Sequence, residues 1–247
     1  MGFAGKTVWI IGASEGIGAA LARAFAQERA RLILSARNQL ALEALAKDCG
    51  NAQVLPLDLA EAGALAGVAA GLAPGSLDAV ICTAALYDPG LVADLNPEAT
   101  ARLVAVNLLG SFEVARLTPL LLRDGGQLVL FGSVAGYFGL PEGQPYSATK
   151  AAVNNLAETL RVELAPRVDV RLVCPGFVST RLTAKNAFAM PAIITPDQAA
   201  QAVIRGLQTR AFEIHFPKRF TVAIKLLRAL PYTLSLRLTT RLRSGGH

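Results

Sequence analysis

Cysteine is scarce in this chain, and so is charge. Cys49, Cys82 and Cys174 are scattered without CxxC or other ligand spacing, so no metal site is expected and no disulfide framework fits an odd count. Free thiols in a reducing compartment are the expectation, as small buried hydrophobes, two of them at strand ends. Charged residues make up only 17% of the 247 residues against 53% hydrophobic, which excludes disorder and calls for a filled interior. No apolar run reaches the ~18 uninterrupted residues of a membrane span. Residues 8–13 are too short for a signal peptide and lack its charged flank, and Lys6 stands where a myristoylation signal needs Ser or Thr. A cytoplasmic protein is predicted.

Acid is missing altogether from the tail. Residues 1–213 hold 17 Lys/Arg against 18 Asp/Glu, whereas residues 214–247 carry Lys218, Arg219, Lys225, Arg228, Arg237, Arg241 and Arg243 and no carboxylate. The whole +6 excess therefore lies at one end. A balanced body without a basic stripe of its own argues against nucleic-acid binding.

What is present is an alternation of short apolar runs with helix-type runs. Strands are predicted at residues 7–11, 31–35, 53–57, 79–82, 127–131 and 169–174, and helices at about 19–28, 38–49, 97–122 and 146–164. Near-continuous apolar strands alternating with amphipathic helices make a doubly wound parallel sheet covered on both faces, an α/β domain. The expected organisation is one domain over residues 1–216 with a helical tail at 217–247.

The first strand runs into Gly12-Ala-Ser-Glu-Gly16-Ile-Gly18, which opens a helix. Glycines there permit a tight turn and let backbone N–H groups approach a pyrophosphate at a helix N-terminus. Three glycines can also be no more than a Gly-rich helix start; the βαβ setting favours a dinucleotide site. After the second strand, where an NAD site carries an acid for the ribose 2′-OH, the chain reads Ser35-Ala36-Arg37. The Arg37 fork suits a 2′-phosphate, with Ser14 as a further donor, so NADP(H) is preferred over NAD(H). Glu15 in the loop is a counter-signal. Asp58 is placed to accept from an adenine amino group, or serves the turn.

Ser133 follows the fifth strand, and Tyr146 and Lys150 lie four apart at a helix start, so both can point into one crevice. A nearby ammonium, together with the positive nicotinamide of the oxidised cofactor, favours phenolate and should bring the Tyr146 pKa toward working pH, while Ser133 orients a carbonyl. With these landmarks the sequence resembles the short-chain dehydrogenase/reductase family, in its classical size range, over about residues 4–216: GASEGIG at 12–18, Asp58-Leu59, Asn107, Ser133, YSATK at 146–150, and Pro175-Gly176 before Thr180. The resemblance implies a single Rossmann-type domain with about seven strands. It implies Tyr146 as general acid/base, Lys150 as its partner and ribose ligand, Ser133 as carbonyl polariser and Asn107 as holder of a relay water. Cofactor contacts are implied at Gly12, Ser14, Glu15, Gly16, Ile17, Gly18, Arg37, Asp58, Leu59, Ala84, Asn107, Tyr146, Lys150, Pro175, Gly176, Val178 and, at the carboxamide, Thr180. Two positions depart from the family: Ile11 replaces the usual Thr, and Cys82-Thr83-Ala84-Ala85 replaces Asn-Asn-Ala-Gly, so Thr83 can restore one hydrogen bond at most.

On the substrate side, Tyr137, Phe138 and Leu140 after Ser133, and Leu182, Phe188, Met190, Ile193 and Ile194 after Thr180, suggest a hydrophobic alcohol or ketone, or simply cover the sheet. The tail reads as two helices around Pro231, with Phe220, Ile224, Leu227 and Leu230 on one apolar face and Leu234, Leu238 and Leu242 spaced by four. Peripheral contact with the inner face of a membrane, packing on the domain, and a dimer contact all fit this pair. A homodimer or tetramer is expected. The alternative function is a catalytically idle NADP-binding regulator or membrane-surface scaffold on the same fold.

Overall fold

β1 (Thr7–Ile11) shows why the sheet is central: four of its five side chains are buried, alternately on opposite faces. Val8 and Ile10 join one apolar cluster, Trp9 and Ile11 the other. The polar edge of Trp9 is satisfied across the pair, its Nε1 donating to the Ser35 hydroxyl at 2.9 Å. In the computed structural model, which describes residues 2–186 and 188–240, seven parallel strands lie in the order β3-β2-β1-β4-β5-β6-β7.

The first half runs β1, α1 (Gly16–Gln27), β2 (Arg31–Ser35), α2 (Gln39–Asp48), β3 (Gln53–Val54), α3 (Ala64–Ala70) and β4 (Leu77–Cys82). The second half runs α4 (Pro97–Val104), α5 (Gly110–Leu117), β5 (Leu122–Phe131), α6 (Tyr146–Glu163), β6 (Val168–Pro175), α7 (Pro196–Leu207) and β7 (Glu213–Phe216). The tail is α8 (Lys218–Ala229) and α9 (Tyr232–Thr240). One core packs α1, α2 and α7 on the sheet; the other packs α3, α5 and α6 on the opposite face.

Two expectations changed. The third strand stops at Val54, because only Gln53 and Val54 pair with β2. The helix expected over residues 97–122 is interrupted: Ala105–Leu109 forms a π-helical turn between α4 and α5, and Leu122 already pairs with Leu77. By length and composition the run Pro97–Leu121 could cross a membrane, and 44% of its most apolar window is buried in the protein. The seventh strand was implied by resemblance alone. Its residues alternate half-buried and buried in only four positions, too short for a pattern. It is held by Arg171 of β6, a buried cation that meets Asp169 and donates to the carbonyls of Thr209 and Ala211 at 2.6 and 2.5 Å.

Candidate active site

At the end of β1 the chain turns through Gly12, at φ +95°, and Gly16, at φ +56°, conformations that only glycine holds without strain. Space makes the same demand. A Cβ on Gly12 would stand 2.5 Å from the Ala84 nitrogen, and one on Gly18 2.7 Å from the Thr83 hydroxyl. α1 starts with no side-chain cap and no acid in its first turn, leaving its N-terminal N–H groups to a ligand. They face a cavity of about 580 Å³ at the carboxyl edge of the sheet. Gly12, Ser14, Glu15, Gly16, Ile17, Gly18, Arg37, Asp58, Leu59 and Ala84 line it. So do Ser133, Tyr146, Lys150, Pro175, Gly176, Val178 and Thr180, with Thr180 standing against Gly16. A long cavity with a glycine cradle and an uncapped helix start fits a dinucleotide.

At the adenosine end Arg37 is exposed on the rim, while its neighbour Asn38 caps α2 by accepting from the Ala41 nitrogen. Glu15, the counter-signal for a phosphate, is neutralised: Arg181 reaches across the cavity and binds its carboxylate at 2.5 Å. Asp58 is engaged with Arg102 at 2.7 Å and with the Ala60 nitrogen at 2.9 Å, which makes it a turn residue at the least.

Tyr146 and Lys150 share one face of α6, with the Lys150 ammonium 5.7 Å from the Tyr146 ring centre and donating to the Phe131 carbonyl at 2.7 Å. Burial dominates both titrations. It pushes the Tyr146 phenol up to about 12, against the pull of a Ser133 hydrogen bond, and draws Lys150 down to about 8. Lys150 alone does not depress the tyrosine: burial of the phenol sets the direction, and the ammonium is turned to the strand carbonyl. In this arrangement Tyr146 is a protonated acid, poised to give a proton. Ser133 caps a short turn over Val134–Gly136, accepting from the Ala135 nitrogen at 3.1 Å, which fixes its hydroxyl beside the phenol.

Asn107 occupies the π-helical turn and is fully buried. It does not line the cavity. Its Oδ1 accepts from the Leu86 nitrogen at 2.7 Å, and its Nδ2 donates to the Leu86 carbonyl at 2.9 Å and to Thr149 at 3.3 Å. Its amide thus braces the loop after β4 against α6.

The comparisons with known proteins bear on this geometry. Residues 6–190 match the family model for short chain dehydrogenases. This chain belongs to the short-chain dehydrogenase/reductase family. It is 31% identical to the ketoacyl reductase HetN of Nostoc sp., over 85% of this chain and 78% of that protein. It is also 31% identical to an uncharacterized oxidoreductase of Myxococcus xanthus, over 96% and 98%. A short chain dehydrogenase of Burkholderia cenocepacia in complex with NADP superposes with TM-score 0.83 at 27% identity, covering 98% of this chain and 99% of that one. One from Burkholderia phymatum in complex with NAD also gives 0.83, at 19% identity over 100% and 98%, a likeness of fold alone. The chain is an oxidoreductase acting on CH–OH groups with a nicotinamide dinucleotide cofactor.

As a short-chain dehydrogenase/reductase it solves its two departures locally. Ile11 is buried in the core. The Thr83 hydroxyl lies 3.1 Å from both the Ile11 and Gly12 carbonyls, and its single proton is shared between them. The expected substrate lining is largely wrong. Of those residues only Leu182 lines the cavity. Tyr137 turns the other way, bonding Glu213 on β7 beneath Lys225 of α8, because the turn at Val134–Gly136 reverses the chain after Ser133. Phe138 is buried, Ile194 packs on the core, and Phe188 stacks on Phe177 at 5.8 Å. The residue that meets the catalytic tyrosine was missed. The Tyr87 ring stands edge-on to Tyr146 at 5.0 Å, and its hydroxyl donates to Asn186 at 2.7 Å. A tyrosine five residues past a strand end carries no signal of its own. Asn154, one turn beyond Lys150, was also legible only in three dimensions: a Cβ on Gly136 would stand 2.7 Å from its Nδ2.

Proposed function

We propose that the protein reduces the carbonyl of a hydrophobic substrate, or oxidises the matching secondary alcohol, with NADP(H) in preference to NAD(H). The single observation that carries the catalytic part is the convergence of Ser133, Tyr146 and Lys150 at the end of a cavity whose other end is the glycine cradle. When bound, the cofactor supplies or takes the hydride. Ser133 donates to the substrate oxygen, Tyr146 gives it a proton from a phenol held at about 12, and Lys150 keeps positive charge beside them.

Arg37 on the rim and the pairing of Glu15 with Arg181 support NADP(H). Leu86, Leu182 and the Tyr87 ring support an apolar carbonyl compound. Residues 1–216 carry the chemistry and 217–247 form an accessory tail. Three free, buried cysteines suit a reducing compartment, the cytoplasm. Exposed Leu109 and Phe112 on the α5 flank offer an apolar contact for a homodimer or tetramer. The idle-regulator reading is not favoured, since a binder has no use for a half-buried acid beside a carbonyl donor.

The test is a screen of hydrophobic ketones with NADPH and NADH, followed at the nicotinamide absorbance, with Tyr146→Phe alongside. Turnover should fall by about 10²–10⁴-fold in the variant while NADPH still binds. A variant that keeps its rate removes the acid role; equal rates with NADH remove the role given to Arg37.

A further inference from the structure

The tail does not use its apolar residues as its sequence suggests. In α8, Phe220 packs on the loop after β6: its ring is 5.3 Å from Phe177, and a Cβ on Gly176 would stand 2.8 Å from it. Thr221 is buried and shares a hydrogen bond with His215, while Lys225 pairs with Glu213. These contacts fix the rotation of α8, with Ile224 and Leu227 half-buried on the same side. Val222, Leu226 and Leu230 are left in solvent, Leu226 at 64% exposure. α9 goes further. It turns Ser235 and Thr239 inward, where each hydroxyl bonds a carbonyl of its own helical segment, Pro231 at 3.3 Å and Leu236 at 3.1 Å. Tyr232, Leu234, Leu236 and Leu238 point outward, each about half exposed. Small hydroxyl residues inside and leucines outside is the reverse of what packing on the domain selects.

Lys218, Arg219, Arg228 and Arg237 are exposed on the same two helices, Arg241 and Arg243 follow in the sequence outside the described residues, and no acid occurs after Glu213. We infer that this face docks on an anionic lipid surface, with α8 and α9 lying in the headgroup layer, leucines toward the acyl chains and cations on the phosphates. Charge decides against a second copy of this chain. In a two-fold contact the patch meets itself, and here that sets cations against cations with no carboxylate between them. The inference does not depend on the redox reading, since it uses none of the cavity residues.

The full chain should co-sediment with phosphatidylcholine vesicles that contain phosphatidylglycerol and stay in solution with phosphatidylcholine alone, and added salt should release it. Leu226→Gln/Leu236→Gln and Arg219→Gln/Arg237→Gln should each weaken sedimentation at least roughly tenfold while NADPH binding is unchanged, which checks the fold. Binding that ignores salt and anionic lipid overturns the inference without any variant. So does a leucine variant that pellets like the parent, or one whose only change is loss of a dimer in sedimentation velocity.

Discussion

The two ends of the cavity are built on different principles. The cofactor end rests on backbone: glycines at positions 12, 16 and 18 and an uncapped helix start, within one short stretch of chain. The surroundings of Tyr146 are made of side chains that meet from afar. Tyr87 reaches Asn186, Lys185 reaches the Tyr87 carbonyl at 2.8 Å, and Asn107 holds Leu86. A backbone cradle tolerates almost no change of residue, because the neighbouring atoms cannot move. A side-chain roof tolerates many, and that lets one fold serve different substrates.

The largest effect is expected where that rigidity is greatest. Gly12→Val asks a β-branched residue to hold φ +95° against the Ala84 backbone. Strain of roughly 1–3 kcal/mol, added to the displacement of the cradle, should weaken NADPH binding tenfold or more by fluorescence titration. Near-normal affinity would show that the cradle is softer than its geometry. A middle effect concerns pH. Lys150 loses its ammonium as pH rises through about 8, so the reduction rate should fall there while Tyr146, at about 12, stays protonated.

Stability should move the other way over that window. The folded pKa of Lys150 lies below its ordinary 10.5, so above about 8 the unfolded chain binds more protons and the fold gains. Buried Cys82 and Cys174, raised from 9.0, work against this only above about 9. A rate that falls together with the melting temperature between pH 8 and 9 would contradict the assignment. The smallest effect belongs to the roof: Tyr87→Phe removes one hydrogen bond, worth about 1 kcal/mol, and should raise the KM of a ketone substrate roughly fivefold with little change in kcat. A change confined to NADPH affinity would place Tyr87 at the wrong end.

Much of this was legible beforehand, for identifiable reasons. β1 and β2 fall on their expected residues because runs such as Thr7–Ile11 are apolar throughout, as buried parallel strands must be. The cradle and the Tyr146/Lys150 pair were legible because each lies within one helical turn or one loop. α7 was overlooked although Thr195-Pro196-Asp197-Gln198 spells a capping box, with Thr195 accepting from the Gln198 nitrogen at 3.2 Å and Gln198 returning the bond at 2.9 Å. Tyr137 was misplaced for a different reason. Its direction depends on a reversing turn, which no local pattern announces.

The sequence by itself determined the strand and helix order, the dinucleotide cradle, the identity of the acid and its two companions, and the one-sided charge of the tail. Each depends on residue types that are close in the chain. Only the tertiary structure decided that burial, rather than Lys150, governs the charge of Tyr146, that Arg181 silences Glu15, and which face of α8 and α9 is left in solvent. Those outcomes follow from desolvation and from contacts between separate elements, such as Glu15 with Arg181 and Phe177 with Phe220, quantities that exist only once the chain has closed on itself.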